Sequence, residues 1–368
     1  MITRETSPCA GSFAEEHVEE TAALAGLGLV ELEKVLYPLP PFRIRQIYKW
    51  IIRGVSGFQQ MTDIPNVLRE DLEKRFCLFS GTVKNQYNDN NTKKIILALK
   101  DGLDIEAVLI RDGKKRNTAC LSTQAGCPIG CVFCKTGRLG FKRNLDSAEI
   151  VEQFIFLLME AAKEKRAENQ EKHVIENIVI MGMGEPLLNL ISLRKAIAIL
   201  NDKQGFNFSK RRITVSTCGI CGGLFDIAEN GPYVRLALSL TTADTQLREK
   251  LMPGIKHEPL VKIKEALILF QKNGGGRITL EIPLLKDLNT RDKDIFSIAA
   301  FAKGIDSIIN IIPWNPIAGF EFEGNLLHEP GKNEISDFAG KLENLGLKVT
   351  KRLRKGCGVM GACGQLGT

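Results

Sequence analysis

From residue 118 onward the sequence alternates between two hydrophobic periods. Strand-like stretches at 118–123, 175–181, 213–217, 234–240, 277–283 and 307–312 are separated by helix-like stretches at 146–166, 190–202, 221–229, 260–273 and 291–303. Parallel strands need a long crossover, and a helix of this length supplies it. The chain is therefore expected to be α/β. Six units fit a partial (β/α)6 barrel better than a full eight-strand barrel, although periodicity alone does not separate it from an open doubly wound sheet. In a barrel, chemistry sits on the loops that follow the C-terminal ends of the strands.

The loop after the first of these strands holds Cys127, Cys131 and Cys134 in a CxxxCxxC spacing, with Gly126, Pro128 and Gly130 interleaved. Glycine and proline keep the segment out of a regular helix and let backbone N–H groups turn toward a ligand. Three thiolates can hold three irons of a cubane cluster. A fourth iron would have no protein ligand in this stretch, which marks a reactive site, since electron carriers hold their clusters with four thiolates. A zinc site wants four nitrogen or sulfur ligands in paired groups, and this triplet is unpaired.

The hydrophobic fraction of 44% and charged fraction of 25% over 368 residues are those of a globular protein with a sizeable core. A net charge of +7 is compatible with a nucleic-acid partner and does not demand one. The first residues contain no apolar signal region and lead into Glu15, Glu16, Glu19 and Glu20. No run of about 18 apolar residues occurs, so no membrane association is expected. Ten cysteines in a chain this long do not make a secreted disulfide scaffold, and a cytoplasmic setting follows. The charged run between Lys163 and Lys172 reads as a solvated helix end and loop.

Ahead of the alternating region, residues 1–34 read as a helical lead-in. Ile44, Ile47, Tyr48 and Ile51 recur at helical spacing, with Gly54 as a stop, and a second helix covers 65–76. Arg43, Arg45, Lys49 and Arg53 fall off the apolar stripe and suit either a solvated face or an RNA-backbone contact. Asp101-Gly102 between two apolar runs signals a hairpin. This divides the chain into a small N-terminal helical and hairpin domain (1–110), a core barrel (111–350) and a tail (351–368).

Further motifs fall at strand ends. Met181-Gly182-Met183-Gly184-Glu185-Pro186 offers glycines for close approach and a carboxylate for an ammonium group. Ser216-Thr217 and Ser239-Leu240-Thr241 place hydroxyls there, for a ligand or for helix caps. Asn315 follows the sixth strand, where its amide could read an adenine edge. Cys218 and Cys221 form a CxxC that lacks the partners of a redox or zinc site. His17, His173, His257 and His328 form no cluster. The tail carries Lys351, Arg352, Arg354 and Lys355, then Cys357 and Cys363 among glycines.

Several segments together resemble a known family. They are Pro41-Phe42-Arg43 with Gln46-Ile47-Tyr48-Lys49-Trp50, then Ser122-Thr123-Gln124-Ala125-Gly126-Cys127 and Arg143-Asn144-Leu145. The segment from Met181 to Asn189 follows, with Lys210-Arg211-Arg212, the segment from Ile312 to Pro316, and Ala362-Cys363-Gly364-Gln365-Leu366. The order and content are similar to the radical S-adenosylmethionine (SAM) RNA adenosine methyltransferases of the RlmN and Cfr type. The resemblance implies a radical-SAM barrel, a [4Fe-4S] cluster on Cys127, Cys131 and Cys134, and SAM bound through Gly184, Glu185, Ser216, Ser239, Leu240, Thr241 and Asn315. It implies that one SAM methylates Cys363 and a second yields a 5′-deoxyadenosyl radical that activates this methyl group. Cys120 would then form a transient disulfide with Cys363 to release the methylated base, and Glu106 would be a general base. The implied partners are ribosomal RNA, with transfer RNA as a further substrate, and an electron donor such as flavodoxin or ferredoxin; a monomer is expected.

The chain departs from the family pattern in three places, one of them a hairpin-to-cysteine loop one residue longer than expected. Thr241 stands where a Ser-Leu-His motif has histidine, and the tail lacks the usual Asp-Ile pair and carries Cys357 instead. The leading expectation is methylation at carbon-2 of adenosine. Its rivals are a carbon-8 methyltransferase of the Cfr type and a non-catalytic iron–sulfur RNA-binding paralogue.

Overall fold

The computed structural model describes residues 23–112, 116–167, 175–352 and 354–367. In chain order its strands are β1 (Thr82–Asn88), β2 (Thr92–Ala98), β3 (Asp104–Asp112), β4 (Arg116–Cys120), β5 (Gln124–Gly126), β6 (Phe141–Asn144), β7 (Asn177–Ile180), β8 (Ile213–Thr217), β9 (Arg235–Ser239), β10 (Ile278–Leu284), β11 (Ser307–Pro313), β12 (Glu321–Phe322), β13 (Asn325–Leu326) and β14 (Val349–Lys351). The helices are α1 (Leu29–Val35), α2 (Pro41–Arg53), α3 (Asn66–Arg75), α4 (Lys135–Arg138), α5 (Ser147–Ala167), α6 (Leu190–Asn201), α7 (Cys221–Asn230), α8 (Thr245–Leu251), α9 (Leu260–Lys272), α10 (Asp292–Ala302) and α11 (Lys332–Asn344).

Ten strands form one sheet in the order β1-β2-β3-β4-β7-β8-β9-β10-β11-β14. The first four are antiparallel neighbours, and β4 through β14 run parallel. All six expected parallel strands are present. The sheet does not close, because β1 and β14 are its two edges. The C-terminal ends of β8 to β11 nevertheless line one cavity, so the parallel part curls into a partial barrel. The seventh parallel strand, β14, was not expected. It is three residues long, and its exposed Thr350 and Lys351 make no apolar run.

The boundary expected after residue 110 falls inside a ladder. β3 and β4 pair from Val108↔Cys120 to Asp112↔Arg116, so the hairpin extends the barrel sheet. The N-terminal helices join it too. Leu32, Ile47, Ile51 and Leu72 pack in the same core as Val108, Ile155 and Ile178. On α2, Pro41 occupies the first turn, Gly54 caps the end at φ 75°, and Ile44, Ile47, Tyr48 and Ile51 are buried as their spacing predicts. A fully buried aliphatic side chain contributes roughly 1.5–3 kcal/mol; an exposed ion pair contributes about 0.2–1 kcal/mol. The apolar stripe therefore holds α2 in place, and the arginine face does not. Of the lead-in, residues 1–22 lie outside the described residues, as do 168–174 of the charged run.

Candidate active site

The cysteine loop is pinned at its base. β5 and β6 pair antiparallel outside the main sheet, and Cys127 N–H donates to Gly140 O at 3.1 Å. Gly126 sits at φ 80°, and a Cβ there would lie 1.8 Å from Gly140 O, so only glycine fits. The next bracing comes from the far half of the barrel. Val132 N–H donates to Leu251 O, Gly254 N–H to Ile129 O, and Trp314 Nε1–H to Phe133 O at 2.9 Å. The tail supplies the third brace. Lys135 N–H donates to Gly364 O at 2.7 Å and the Thr136 hydroxyl to Leu366 O at 2.6 Å.

Cys127, Cys131 and Cys134 line one cavity with Glu185 and Cys363. Burial pushes the thiol of Cys127 up to about 12 and raises those of Cys131 and Cys134; repulsion from Cys134 adds to this at Cys127 and Cys131, and repulsion from Cys363 adds to it at Cys134. Among the described residues no three His, Cys, Asp or Glu side chains converge on a point that would hold a single metal ion. Three thiols lining one cavity are the donor set that a multi-iron cluster uses, one thiolate per iron. The donor set fits a cubane and leaves one iron open. Cys218 also lines the cavity, but its thiol is hydrogen-bonded to Glu185.

Glu185 is buried at the end of the segment after β7. Its Oε1 accepts from the Thr217 hydroxyl (2.6 Å) and Leu187 N–H (3.0 Å), and its Oε2 accepts from Cys218 N–H (2.8 Å). Burial raises its carboxyl and these donors oppose that shift. Gln124 Oε1 accepts Glu185 N–H at 2.8 Å, which ties this segment to the cysteine hairpin. With the Cys218 thiol these donors fill the roughly four acceptor sites of a carboxylate, so a cation in the cavity would reach Glu185 by displacing that thiol.

Ser216 and Ser239 face each other at 3.2 Å, and the Ser216 hydroxyl donates to Glu281 Oε2 at 2.9 Å. Thr241 lines the cavity with its buried hydroxyl unpartnered, at φ 64°. Leu240 is fully buried and does not line the cavity; its carbonyl accepts Arg248 Nε–H at 3.1 Å. Asn315 Nδ2 donates to Cys363 O at 2.8 Å.

Cys363 also lines a second, smaller cavity, which it shares with Cys120, Asn315 and Arg352. The Arg352 charge lies within electrostatic reach of Cys363, Glu281 and Cys120. Burial, then the neighbouring Cys363, pushes the Cys120 thiol up to about 12, and Arg352 opposes the rise. Both cysteines are free thiols, and the described residues contain no disulfide. Glu106 lines neither cavity. It is fully buried on β3, with Lys94 Nζ 3.2 Å from Oε1 and Gly367 N–H donating to Oε2 at 3.1 Å. It is thus not the solvent-facing hairpin carboxylate that its position in sequence suggests.

Known proteins carry the same pattern. Residues 24–78 match the family described as ribosomal RNA large subunit methyltransferase N-terminal domain, and 121–299 match the radical SAM superfamily. A probable dual-specificity RNA methyltransferase RlmN from Treponema denticola is 45% identical over 347 residues, 94% of this chain and 95% of that protein. A protein of the same description from Treponema pallidum is 42% identical over 354 residues, 95% of this chain and 98% of that protein. The chain belongs to the RlmN family of radical-SAM RNA methyltransferases. The fold agrees: the crystal structure of a radical SAM methyltransferase from Sphaerobacter thermophilus superposes with a TM-score of 0.85 at 34% identity, covering 94% of this chain and 99% of that one.

Beside the RlmN-type motifs, the structure places residues that sequence reading passed over. Glu281 lines the cavity from β10; an acid inside the apolar run Ile278–Leu284 was the available signal. Arg248 is almost wholly buried behind the cavity and donates to the carbonyls of Leu240 and Cys218, joining the ends of β8 and β9. Nothing in the exposed-looking TQLREKL helix announces it. Among the histidines, His257 and His328 line neither cavity, and His17 and His173 lie outside the described residues.

Proposed function

We propose that this chain methylates carbon-2 of an adenosine in large-subunit ribosomal RNA, with transfer RNA as a second substrate, and carries the methyl group on Cys363. The observation that supports it most is the position of Cys363. It opens on one side to the cavity of the three loop cysteines and Glu185, and on the other to the cavity of Cys120. The printed description of the relatives as dual-specificity RNA methyltransferases favours two RNA substrates.

Cys127, Cys131 and Cys134 would hold a [4Fe-4S] cluster, which together with SAM supplies a 5′-deoxyadenosyl radical when the site is loaded. Glu185 accepts the amino group of SAM, oriented by its bonds from Thr217 and the Cys218 backbone. Ser216, Ser239 and Glu281 present hydroxyls and a carboxylate to the nucleoside, and the unpartnered Thr241 hydroxyl gives one more donor. Cys363 takes a methyl group as a sulfur nucleophile. Carbon-2 of adenine is not nucleophilic, so it cannot take a methyl group by polar transfer; the carbon on Cys363 adds to it after loss of a hydrogen atom. The adduct then gives up its odd electron, which the oxidised iron–sulfur cluster would take back, and the carbon-2 proton, which restores the ring. Cys120 then attacks the Cys363 sulfur: an S–S bond forms, the C–S bond breaks with its electron pair going to carbon, and the base leaves methylated. An external reductant restores the two thiols.

The test is an anaerobic reaction with RNA, SAM and a reduced flavodoxin or ferredoxin, followed by digestion and mass spectrometry against 2-methyl and 8-methyl adenosine standards. The 2-methyl product is expected. The 8-methyl product would move the chain to the Cfr-type reaction, and no methyladenosine would leave it as an RNA-binding paralogue.

A further inference from the structure

The proposed reaction leaves a disulfide whose inner sulfur is poorly reachable. Cys120 is buried at 6% exposure, Cys363 is half-buried, and Cys357 is exposed. These three thiols form a series from the core to the surface, and the outermost is the residue that departs from the family pattern. An Asp-Ile pair in this part of the tail could not exchange with a disulfide; a thiol can.

The tail folds so that Cys357 and Cys363 come together. Gly361 N–H donates to Gly356 O at 2.8 Å. A Cβ on Gly356 would stand 3.0 Å from the Gly361 carbonyl carbon and 3.2 Å from Ala362 N. The residue before Cys357 is therefore packed against the residue before Cys363. One side chain touches both: Cys357 Sγ donates to Asn315 Oδ1 at 3.4 Å, and Asn315 Nδ2 donates to Cys363 O at 2.8 Å. Gly358 and Gly361 lie between the cysteines, and the only regular element that rotation to disulfide geometry would disturb there is the single 3-10 turn Cys357–Val359.

We propose that Cys357 carries the disulfide out of the buried site to the surface. This rests on the reading of Cys120 and Cys363 given above. The Cys357 thiolate bonds to the Cys363 sulfur as the Cys363–Cys120 bond breaks, and the electron pair departs on Cys120, whose charge Arg352 faces. No net oxidation occurs in this exchange. An external dithiol protein then gives two electrons and two protons to the exposed Cys357–Cys363 disulfide and is itself oxidised to a disulfide. Cys357 acts only in regeneration and does not touch RNA or SAM.

Mass mapping tests this directly. The holoenzyme is turned over anaerobically with RNA, SAM and reduced flavodoxin but without a dithiol, quenched in acid, alkylated and cut with trypsin. Cleavage after Lys355 leaves Cys357 and Cys363 on one peptide, so their disulfide lowers the mass of that peptide by two hydrogens and leaves Cys120 alkylated. That product is expected. With thioredoxin as the dithiol, Cys357→Ser should regenerate several-fold more slowly than the parent, while with dithiothreitol the two should match. Cys357→Ala, checked for iron content, guards against a folding defect in either variant. Methylated RNA together with only a Cys120–Cys363 cross-link, and equal regeneration by thioredoxin, would overturn the relay and leave the proposed reaction standing. Absence of both methylated RNA and any disulfide would overturn the proposed reaction and the relay with it.

Discussion

Cys120 and Cys363 face each other across one small cavity, with the charge of Arg352 beside both. The first comes from the barrel's first parallel strand and the second from the tail. Removing them one at a time should therefore have different consequences. Cys363→Ala should abolish methylation if this residue carries the methyl group as proposed. Cys120→Ala should still join carbon to the base but fail to release it, so a covalent enzyme–RNA species should build up on a denaturing gel. Normal turnover by Cys120→Ala would refute the resolving role.

Gly126 should prove as necessary as the cysteine beside it. A side chain there costs about 1–2 kcal/mol for the left-handed backbone alone, and its Cβ would also overlap the Gly140 carbonyl. Gly126→Ala should open the base of the loop. Anaerobic reconstitution should then give iron per chain and visible absorbance as low as for Cys127→Ala, with circular dichroism unchanged.

Thr241 combines a positive φ with a buried, unpartnered hydroxyl. The hydroxyl contributes no bond within the protein, so Thr241→Ala should leave thermal stability within about 1 kcal/mol of the parent. If the hydroxyl bonds SAM, one hydrogen bond of about 1 kcal/mol is lost. Equilibrium dialysis should then show SAM affinity weakened about fivefold, and unchanged affinity would remove Thr241 from the site.

Glu152 gives a pH signature. It is buried on α5 and accepts the N–H groups of Ser80 and Gly81 and the Ser80 hydroxyl. Burial nevertheless pushes its carboxyl to about 7 from an ordinary 4.5. Between those values the folded state holds a proton that the unfolded state has released. The group's contribution to stability is therefore present below pH 4.5 and is lost as pH rises through about 7, by roughly 3 kcal/mol at about 1.4 kcal/mol per unit. Glu152→Gln loses acceptor capacity at every pH but does not titrate. Its stability deficit against the parent, measured by urea unfolding, should shrink from pH 4.5 to pH 8.

The buried Lys94–Glu106 pair should behave as a unit. Lys94→Met leaves a carboxylate buried without its cation, which costs about 3–5 kcal/mol. Adding Glu106→Gln should recover much of that loss in the double variant, as read by urea unfolding. An additive result would mean that the two residues do not depend on each other.

The parts legible in the sequence were those with a period or a fixed spacing. The helices α5, α6, α7, α9 and α10 lie within a residue or two of where their apolar repeats put them. The cysteine triplet and the glycines around Glu185 announced a ligand cavity because such spacing has few structural uses. The rest depended on contacts between distant segments. The short ladder of β5 and β6 has no period of its own and exists because Gly126 and Gly140 let two backbones touch. Arg248 looks like any helix-surface cation until α8 is packed behind β8 and β9. A hairpin normally has one wet face, so nothing in the sequence marks Glu106 as buried; here the tail and Lys94 cover it.

The continuity of the sheet across β3 and β4 also limits how substrate can reach the thiols. A hinge at that junction would have to break the ladder from Val108↔Cys120 to Asp112↔Arg116, and the shared core beneath it would have to come apart. Closing two halves on an RNA as jaws do would cost that ladder and that core. On the proposed reaction it would then be the nucleic acid that moves: a target adenine would leave its stack to come to Cys363, and the cost of unstacking would fall on the RNA. Adenosines already held in loops or at bends would be methylated first for that reason, before any base is read.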